Sequence, residues 1–312
     1  MKTIFMGTPE FAVPSLAALY EVGHEIQLVI TQPDKKGNRN KVIPSAVKTY
    51  AEDHGLDIAQ PTKIRNDEEL IKRIEALAPD IIVVAAFGQI LPKSVLDIPR
   101  LGCVNVHGSL LPLLRGAAPM QMSIKEGFRE TGVTIMKMEE GLDTGDMIAK
   151  CSCEIGRMNI TELSARLAND GAKLLLETLP HIEDGTAIYE KQDDSQSTYA
   201  HMIKKEDGYT GFNESAASID CKIRAYYEWP TLYSYIDGLQ IKFFNAEPLM
   251  GETPDGEPGT ISAVEKNSYV INCREGKLRV FEQQLQGKKR MSAGDFMRGH
   301  KLEKGMSFGR VE

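Results

Sequence analysis

Asn105 and His107 stand two residues apart in the stretch NVHGSLLPLLRGAAP. Side chains alternate along an extended strand, so residues at this spacing share one face. A carboxamide beside an imidazole can donate hydrogen bonds to an oxygen on which negative charge develops, and the imidazole can also move a proton. A lone histidine is more often satisfied by a loop carbonyl; its neighbours reverse that preference. Gly108-Ser109-Leu110-Leu111-Pro112 is too apolar for a solvated loop and too broken for a helix. It suits the wall of a pocket for a flat aromatic ligand. Gly141-Leu142-Asp143-Thr144-Gly145-Asp146 sets an aspartate between two glycines. By itself such a sequence is an ordinary turn, but near His107 its carboxylate would orient the imidazole. Asn105, His107 and Asp143 then form a set able to stabilise a tetrahedral intermediate without a covalent nucleophile.

Commoner chemistries lack their motifs. The chain has neither a GxxxxGK[ST] phosphate loop nor a GxGxxG dinucleotide loop, so the familiar nucleotide fingerprints are missing. Gly7-Thr8-Pro9, after the first apolar run, reads equally as a glycine loop or a tight strand-to-helix turn. The 6 histidines are scattered, and the 5 cysteines include no CxxC pair, so no metal is expected. An odd thiol count without pairing motifs points to reduced cysteines in a cytoplasmic protein. Cys151 and Cys153 alternate on a strand-like stretch and are expected on one buried face. The longest clean apolar run, 81–87 (IIVVAAF), holds seven residues, against about 20 for a membrane span. The opening MKTIFMGTPEF reads as a strand rather than a signal peptide.

The chain has 312 residues, 42% hydrophobic and 26% charged, a globular balance that predicts two domains. Its net charge of −7 is uneven: residues 208–312 hold 14 Lys+Arg and 14 Asp+Glu, leaving 23 against 30 over 1–207. That acidity argues against a non-specific nucleic-acid coat but permits local basic surfaces. Two such clusters exist. Segment 34–48 (DKKGNRNKVIPSAVK) carries five cations and one anion, and Lys288-Lys289-Arg290 forms a second knot.

Elements that would position these residues alternate between strand and helix over the first 180 residues. Strands are expected at 3–6, 26–31, 80–87, 103–106, 132–138 and 147–155, and helices at 13–22, 44–54, 67–78 and 161–179. Continuous apolar runs such as 80–87 are what a parallel sheet covered by helices produces. The expected architecture is therefore a Rossmann-like, doubly wound α/β domain over 1–189. A polar, weakly periodic linker should follow over 190–207. Five short strands over 208–312 (232–236, 240–246, 259–264, 268–273 and 277–284) then suggest a small OB-like β-barrel.

Three runs carry a resemblance: VVAAFGQILP (83–92), GCVNVHGSLLPLLRGAAPMQ (102–121) and ETGVTIMKMEEGLDTGDM (130–147). They resemble the 10-formyltetrahydrofolate-dependent formyltransferases, and the similarity spans the whole chain. The opening MGTPEFAVPSL, the TQPDKK…IPSAVK loop, Trp229-Pro230 and Lys289…Met291-Ser292-Ala293 are similar to the members of that family that act on methionyl-tRNA. The resemblance implies transfer of a formyl group from 10-formyltetrahydrofolate, as co-substrate, to the α-amine of methionine on initiator tRNA. Asn105 and His107 would stabilise the developing oxyanion, with His107 relaying a proton towards the leaving nitrogen and Asp143 holding the imidazole and a water. Phe87, Gly88, Gln89, Ile90 and Leu91, together with Ser109, Leu110, Leu111 and Pro112, would wall the pterin pocket, largely through backbone groups.

For the tRNA, the resemblance places Lys35, Lys36, Arg39 and Lys41 on a mobile loop against the acceptor arm. Lys288, Lys289 and Arg290 would add phosphate contacts from the C-terminal domain. The same resemblance leaves a monomer expected, with no membrane partner. Two positions depart from the family pattern: Leu113-Leu114 replaces a basic and an aromatic residue, and Glu228 precedes Trp229-Pro230 where an apolar or aromatic residue is usual. Alternatives are formyl transfer to an amino sugar nucleotide or to glycinamide ribonucleotide, hydrolysis of the folate, and a non-catalytic RNA-binding protein with a formyltransferase-like core. The basic 35–41 loop separates the first of these from a tRNA enzyme. The barrel argues against the ribonucleotide acceptor.

Overall fold

The structure, a computed structural model, describes residues 1–36 and 42–309. The chain forms two compact units. One comprises Met1–Pro119, Glu130–Glu154 and Ser164–His201, and the other Met120–Arg129, Ile155–Leu163 and Met202–Glu312. Residues 190–201, expected as part of a linker, thus belong to the first unit.

In chain order the first elements are β1 (Lys2–Gly7), α1 (Val13–Glu21), β2 (Glu25–Ile30), β3 (Lys35–Lys36), β4 (Val42–Ile43), α2 (Ala46–Asp53), β5 (Ile58–Ala59) and α3 (Glu68–Leu77). Then come β6 (Ile81–Ala85), α4 (Lys93–Leu96), β7 (Cys103–His107), β8 (Arg115–Gly116), α5 (Pro119–Lys125), β9 (Glu130–Lys137), β10 (Met147–Glu154), α6 (Ile160–Glu183) and β11 (Tyr199–Ala200). Capping sets several helix starts: the Ser45 side chain accepts from Lys48 N, and the Asp67 side chain accepts from Leu70 N. Each satisfies an otherwise orphaned first-turn donor.

Seven strands make the main sheet, in the order β10-β9-β7-β6-β1-β2-β5. β5, β2, β1, β6 and β7 run parallel, while β9 and β10 run antiparallel at one edge. Every residue of β6 is buried, which accounts for its unbroken apolar sequence. Because β6 and β7 are parallel, the 86–91 turn and His107 emerge at the same edge of the sheet, the carboxyl edge where open α/β sheets hold ligands. On α6, Leu167, Ala172, Leu175 and Leu179 are buried at helical spacing. A Cβ at Gly171 would lie 2.9 Å from Val106 Cγ1 and 3.2 Å from Val133 Cγ1, so glycine lets this helix sit close on β7 and β9. Val106 meets α6, which leaves Asn105 and His107 on the opposite face.

The second unit contains α7 (Ala216–Ala225), β12 (Tyr233–Ile236), β13 (Leu239–Leu249), β14 (Ile261–Val264), β15 (Tyr269–Asn272), β16 (Lys277–Leu285), β17 (Met291–Ser292) and α8 (Ala293–Gly299). Its antiparallel sheet runs β12-β13-β16-β15-β14, with β17 paired to β16. Register shifts between Phe243 and Ala246 bend the eleven-residue β13, curling the sheet into the OB-like half-barrel. Phe212, Phe243 and Phe308 meet in its core at centroid separations of 5.7–5.8 Å. Sequence periodicity missed α7 and α8. Buried Asp220 interrupts the apolar face of α7, where Arg157 forks onto its two oxygens at 2.7 and 3.0 Å. α8 is seven residues long, too short for a periodic signal.

Candidate active site

β7 delivers two of the three expected residues and a loop delivers the third. His107, the last residue of β7, is 5% exposed. Its Nε2 lies 3.1 Å from the carbonyl oxygen of Leu114. A carbonyl only accepts, so Nε2 carries a proton in this arrangement. Its Nδ1 lies 3.7 Å from Asp143 Oδ2. Asp143 Oδ1 faces Asn105, whose Nδ2 stands 3.5 Å away. One carboxylate therefore touches both partners, and Asn105, His107 and Asp143 converge.

Antiparallel pairing makes this convergence unobvious. β9 ends beside the start of β7, with Met138 N donating to Cys103 O at 2.8 Å. The 138–146 loop must then fold back along β7 to bring Asp143 to His107 at the other end. Asp143 adopts a left-handed backbone, φ 54°, which is unfavourable for a residue with a Cβ. Two donors hold it and its neighbour through three hydrogen bonds. Gly116 N donates to Asp143 Oδ2 at 2.8 Å, and Gln192 Nε2 donates to the carbonyls of Asp143 and Gly145 at 2.8 and 2.7 Å.

The 114–117 segment is itself gripped by residues 192–200. Thr198 Oγ1 accepts from Leu114 N at 2.8 Å and Thr198 O accepts from Arg115 N at 2.9 Å. β8 pairs in parallel with β11, and Ala117 N donates to Ala200 O. Gly116 has φ 113°, and a Cβ there would stand 2.8 Å from Ala200 O. Arg115 is 2% exposed, donating through Nε to Gln192 Oε1 at 2.9 Å and through Nη2 to Asp194 Oδ1 at 2.8 Å. Sequence reasoning passed over Gln192, Thr198, Arg115 and Gly116. Arg115 and Gly116 lie inside the quoted motif, whereas Gln192 and Thr198 sit in a polar stretch with no local signal.

The expected pocket residues fall into two groups. Phe87, Leu91, Ser109 and Leu111 are buried. Ser109 Oγ donates to Leu113 O at 2.6 Å, and Thr134 on β9 pins the turn by donating to Ser109 O at 2.7 Å and accepting from Leu111 N at 3.1 Å. Gln89 braces its surroundings, accepting from Ile64 N and donating to Pro61 O. Gly88 is exposed, Ile90 is 74% exposed, and Leu110 and Pro112 are half-buried. Gly88 has φ 77° and a Cβ there would overlap Gln32 Nε2, which itself donates to Phe87 O at 2.9 Å. Outward, Gly88 offers only backbone, and Ile90 offers its apolar side chain.

Of the expected tRNA-binding cations, Arg39 and Lys41 lie outside the described residues. The backbone of Lys35 and Lys36 pairs with Val42–Ile43 in a two-stranded ribbon. Lys48 at the base of this segment bonds Asp34 at 2.6 Å, and Lys48 with Gln60 holds the Asp34 carboxyl below its usual range. In the second unit Lys288 and Lys289 are exposed. Arg290 is already engaged: it reaches Glu282 and Tyr227 Oη at 2.5 Å each and lies over the Phe244 ring at 4.3 Å. Among the described residues no cluster of three or more His, Cys, Asp or Glu side chains is arranged to hold a metal ion. Burial pushes the Cys103 thiol up to about 12, so it is no nucleophile.

Residues 1–179 match the formyl transferase family, and residues 202–301 match the formyl transferase C-terminal domain. Methionyl-tRNA formyltransferase of Citrifermentans bemidjiense is 46% identical over 314 residues, covering 100% of this chain and 98% of that one. The chain belongs to the methionyl-tRNA formyltransferase family. The protein of that name from Geobacter metallireducens is 45% identical over 311 residues, 99% of each chain. Solved structures share the fold at lower identity. The sugar 3N-formyl transferase WlaRD, in the presence of dTDP and 5-N-formyl-THF, has a TM-score of 0.66 at 20% identity, covering 93% of this chain and 99% of that one. HypX from Aquifex aeolicus, in complex with tetrahydrofolic acid, has a TM-score of 0.65 at 18% identity, and this chain spans 51% of it. Among the described residues no helix is long and apolar enough to cross a membrane.

Proposed function

We propose that this chain transfers the formyl group of 10-formyltetrahydrofolate to the α-amine of methionine on initiator methionyl-tRNA, in the cytoplasm. The observation that carries this reading is the convergence of Asn105, His107 and Asp143, in a chain nearly half identical throughout to methionyl-tRNA formyltransferases. The 88–90 backbone suits the folate. Among the described residues, the N–H groups of 88–91 donate to no protein acceptor, and a flat heterocycle with alternating donors and acceptors is matched by such main-chain groups. When bound, the folate supplies an activated formyl group. Ile90, Leu110 and Pro112 would flank its ring.

Asn105 Nδ2, and the Nε2–H of His107 on leaving the Leu114 carbonyl, would donate to the formyl oxygen as negative charge grows on it. Each such donor is typically worth about 3 kcal/mol, or ~10²–10³ in rate. Asp143, shared between Asn105, His107 and Gly116 N, fixes the imidazole in place. His107 would take up the proton released by the amine and pass it towards the leaving nitrogen. Lys35, Lys36, Arg39 and Lys41 are proposed to contact the acceptor arm, with Lys288 and Lys289 on the C-terminal domain. Arg290, engaged by Glu282, Tyr227 and Phe244, would serve better as a stacking surface than as a phosphate ligand.

The test is transfer of radiolabelled formyl from 10-formyltetrahydrofolate to Met-charged initiator tRNA, Met-charged elongator tRNA and an amino sugar nucleotide. Wild type and His107→Ala are run in parallel. Labelling of initiator Met-tRNA alone, reduced by about 10²–10⁴ in a folded His107→Ala protein, is expected. Labelling of the sugar nucleotide, or an active His107→Ala enzyme, would sink the acceptor or the catalytic assignment respectively.

A further inference from the structure

We propose that Gln192 is a positioning residue of the formyl-transfer site, holding Asp143 in its left-handed backbone through a relay that begins at buried Arg115. This rests on the catalytic reading of Asp143 above. Asp143 is the only one of the three convergent residues carried by a loop rather than a strand, and its φ of 54° lies in the left-handed region, which aspartate visits more readily than most non-glycine residues but still at a cost. Gly116 N restrains its carboxylate. Among the described residues, the hydrogen bond to the main chain of Asp143 comes from the Gln192 amide, which bridges the carbonyls on either side of Thr144 at 2.8 and 2.7 Å. That bridge spans the turn and fixes where the carboxylate projects.

Chemistry leaves the amide one orientation. The Asp143 and Gly145 carbonyls only accept, so Nε2 must face them. Arg115 only donates, and its Nε stands 2.9 Å from Gln192 Oε1. Arg115 has no freedom to turn away: it is 2% exposed, its backbone belongs to β8, and Asp194 holds its other end. Arg115 and Gln192 bind no reactant in this scheme. They act through Asp143, and Gln192 comes from a polar segment some fifty residues downstream of the loop it braces.

The experiment measures kcat, KM for Met-tRNA and thermal unfolding for Gln192→Ala, Gln192→Glu, Asp143→Ala and the double variant Asp143→Ala/Gln192→Ala. Gln192→Ala is expected to lower kcat about tenfold, the worth of roughly one net hydrogen bond, with KM for the tRNA near wild type. Gln192→Glu is the sharper probe. It keeps the size of the side chain and strengthens the contact with Arg115, but turns a carboxylate oxygen towards two carbonyls. Its kcat should fall at least as far as that of Gln192→Ala while the unfolding temperature stays near wild type. If Gln192 served only to brace Arg115, Gln192→Glu would have a wild-type kcat, and the proposal would be overturned. In the Asp143→Ala background, removing Gln192 should cost less than about twofold more in kcat. An equal loss in both backgrounds would also overturn it. Wild-type kcat in Asp143→Ala alone would instead refute the catalytic reading beneath it.

Discussion

Gly116→Ala tests how the site is held more directly than replacing any reacting side chain. Gly116 sits at φ 113°, and a Cβ would stand 2.8 Å from Ala200 O across the β8–β11 pair. Contacts between carbon and a carbonyl oxygen settle at about 3.3–3.6 Å, so β8 must move by about half an ångström or rotate. Confining an alanine to that backbone region costs about 1–3 kcal/mol. The same movement lengthens the 2.8 Å bond from Gly116 N to Asp143 Oδ2, and hydrogen bonds to charged groups are worth about 1.5–3 kcal/mol when intact. A combined destabilisation of about 2–3 kcal/mol, at roughly 2–4 °C per kcal/mol, lowers Tm by about 5–10 °C. Because part of that loss falls on the carboxylate that orients His107, kcat should drop about tenfold. The assays are calorimetric unfolding and single-turnover formyl transfer with saturating folate and tRNA. Wild-type kcat would refute the reasoning; a lowered Tm with kcat intact would mean that the 116 amide supports the fold without setting Asp143.

Two further outcomes follow from charge and burial. Replacing Lys35, Lys36, Arg39 and Lys41 together with alanine should raise KM for the tRNA, leave kcat for bound substrate unchanged, and reduce the salt slope of binding by about 0.7–0.9 per lost phosphate contact; unchanged kinetics would remove the loop from tRNA recognition. Burial raises the thiols of Cys103 and Cys273 to about 12, against roughly 8.5 for an unfolded cysteine. Above that lower value the unfolded chain releases protons that the folded chain keeps, so stability falls as pH rises, by about 1.4 kcal/mol per pH unit for each thiol. Urea midpoints between about pH 8 and pH 10.5 should decline, and less steeply in Cys103→Ala. A flat profile would contradict the burial argument.

Legibility followed the range of the interactions. The 81–85 strand announced itself because burial on both faces demands an unbroken apolar run, and helix α3 because Asp67 caps it ahead of two acidic residues and an amphipathic stripe. Asn105 and His107 were readable together, since strand alternation places i and i+2 on one face whatever the fold. Asp143 could be singled out as a carboxylate between glycines but not located, because its approach depends on an antiparallel β9 and a loop that folds back along β7. Residues 190–201 looked like linker for want of periodicity. Their role in the first unit is to fill backbone hydrogen bonds of 114–117 and to brace Asp143, a duty that leaves no apolar pattern.

By itself the sequence determined the α/β alternation, the curled β-rich C-terminal unit, the family and the pair on β7, all of which rest on local spacing or on motifs contiguous in the chain. Tertiary structure decided which peptide groups hold the catalytic loop, that Arg290 is already paired with Glu282 and covered by aromatic rings, and that the side chains of Gln89 and Ser109 bond main-chain groups of Ile64, Pro61 and Leu113. Those outcomes turn on donors and acceptors meeting from distant parts of the chain. Each polar side chain has several partners it could satisfy, and only packing of the whole unit selects one.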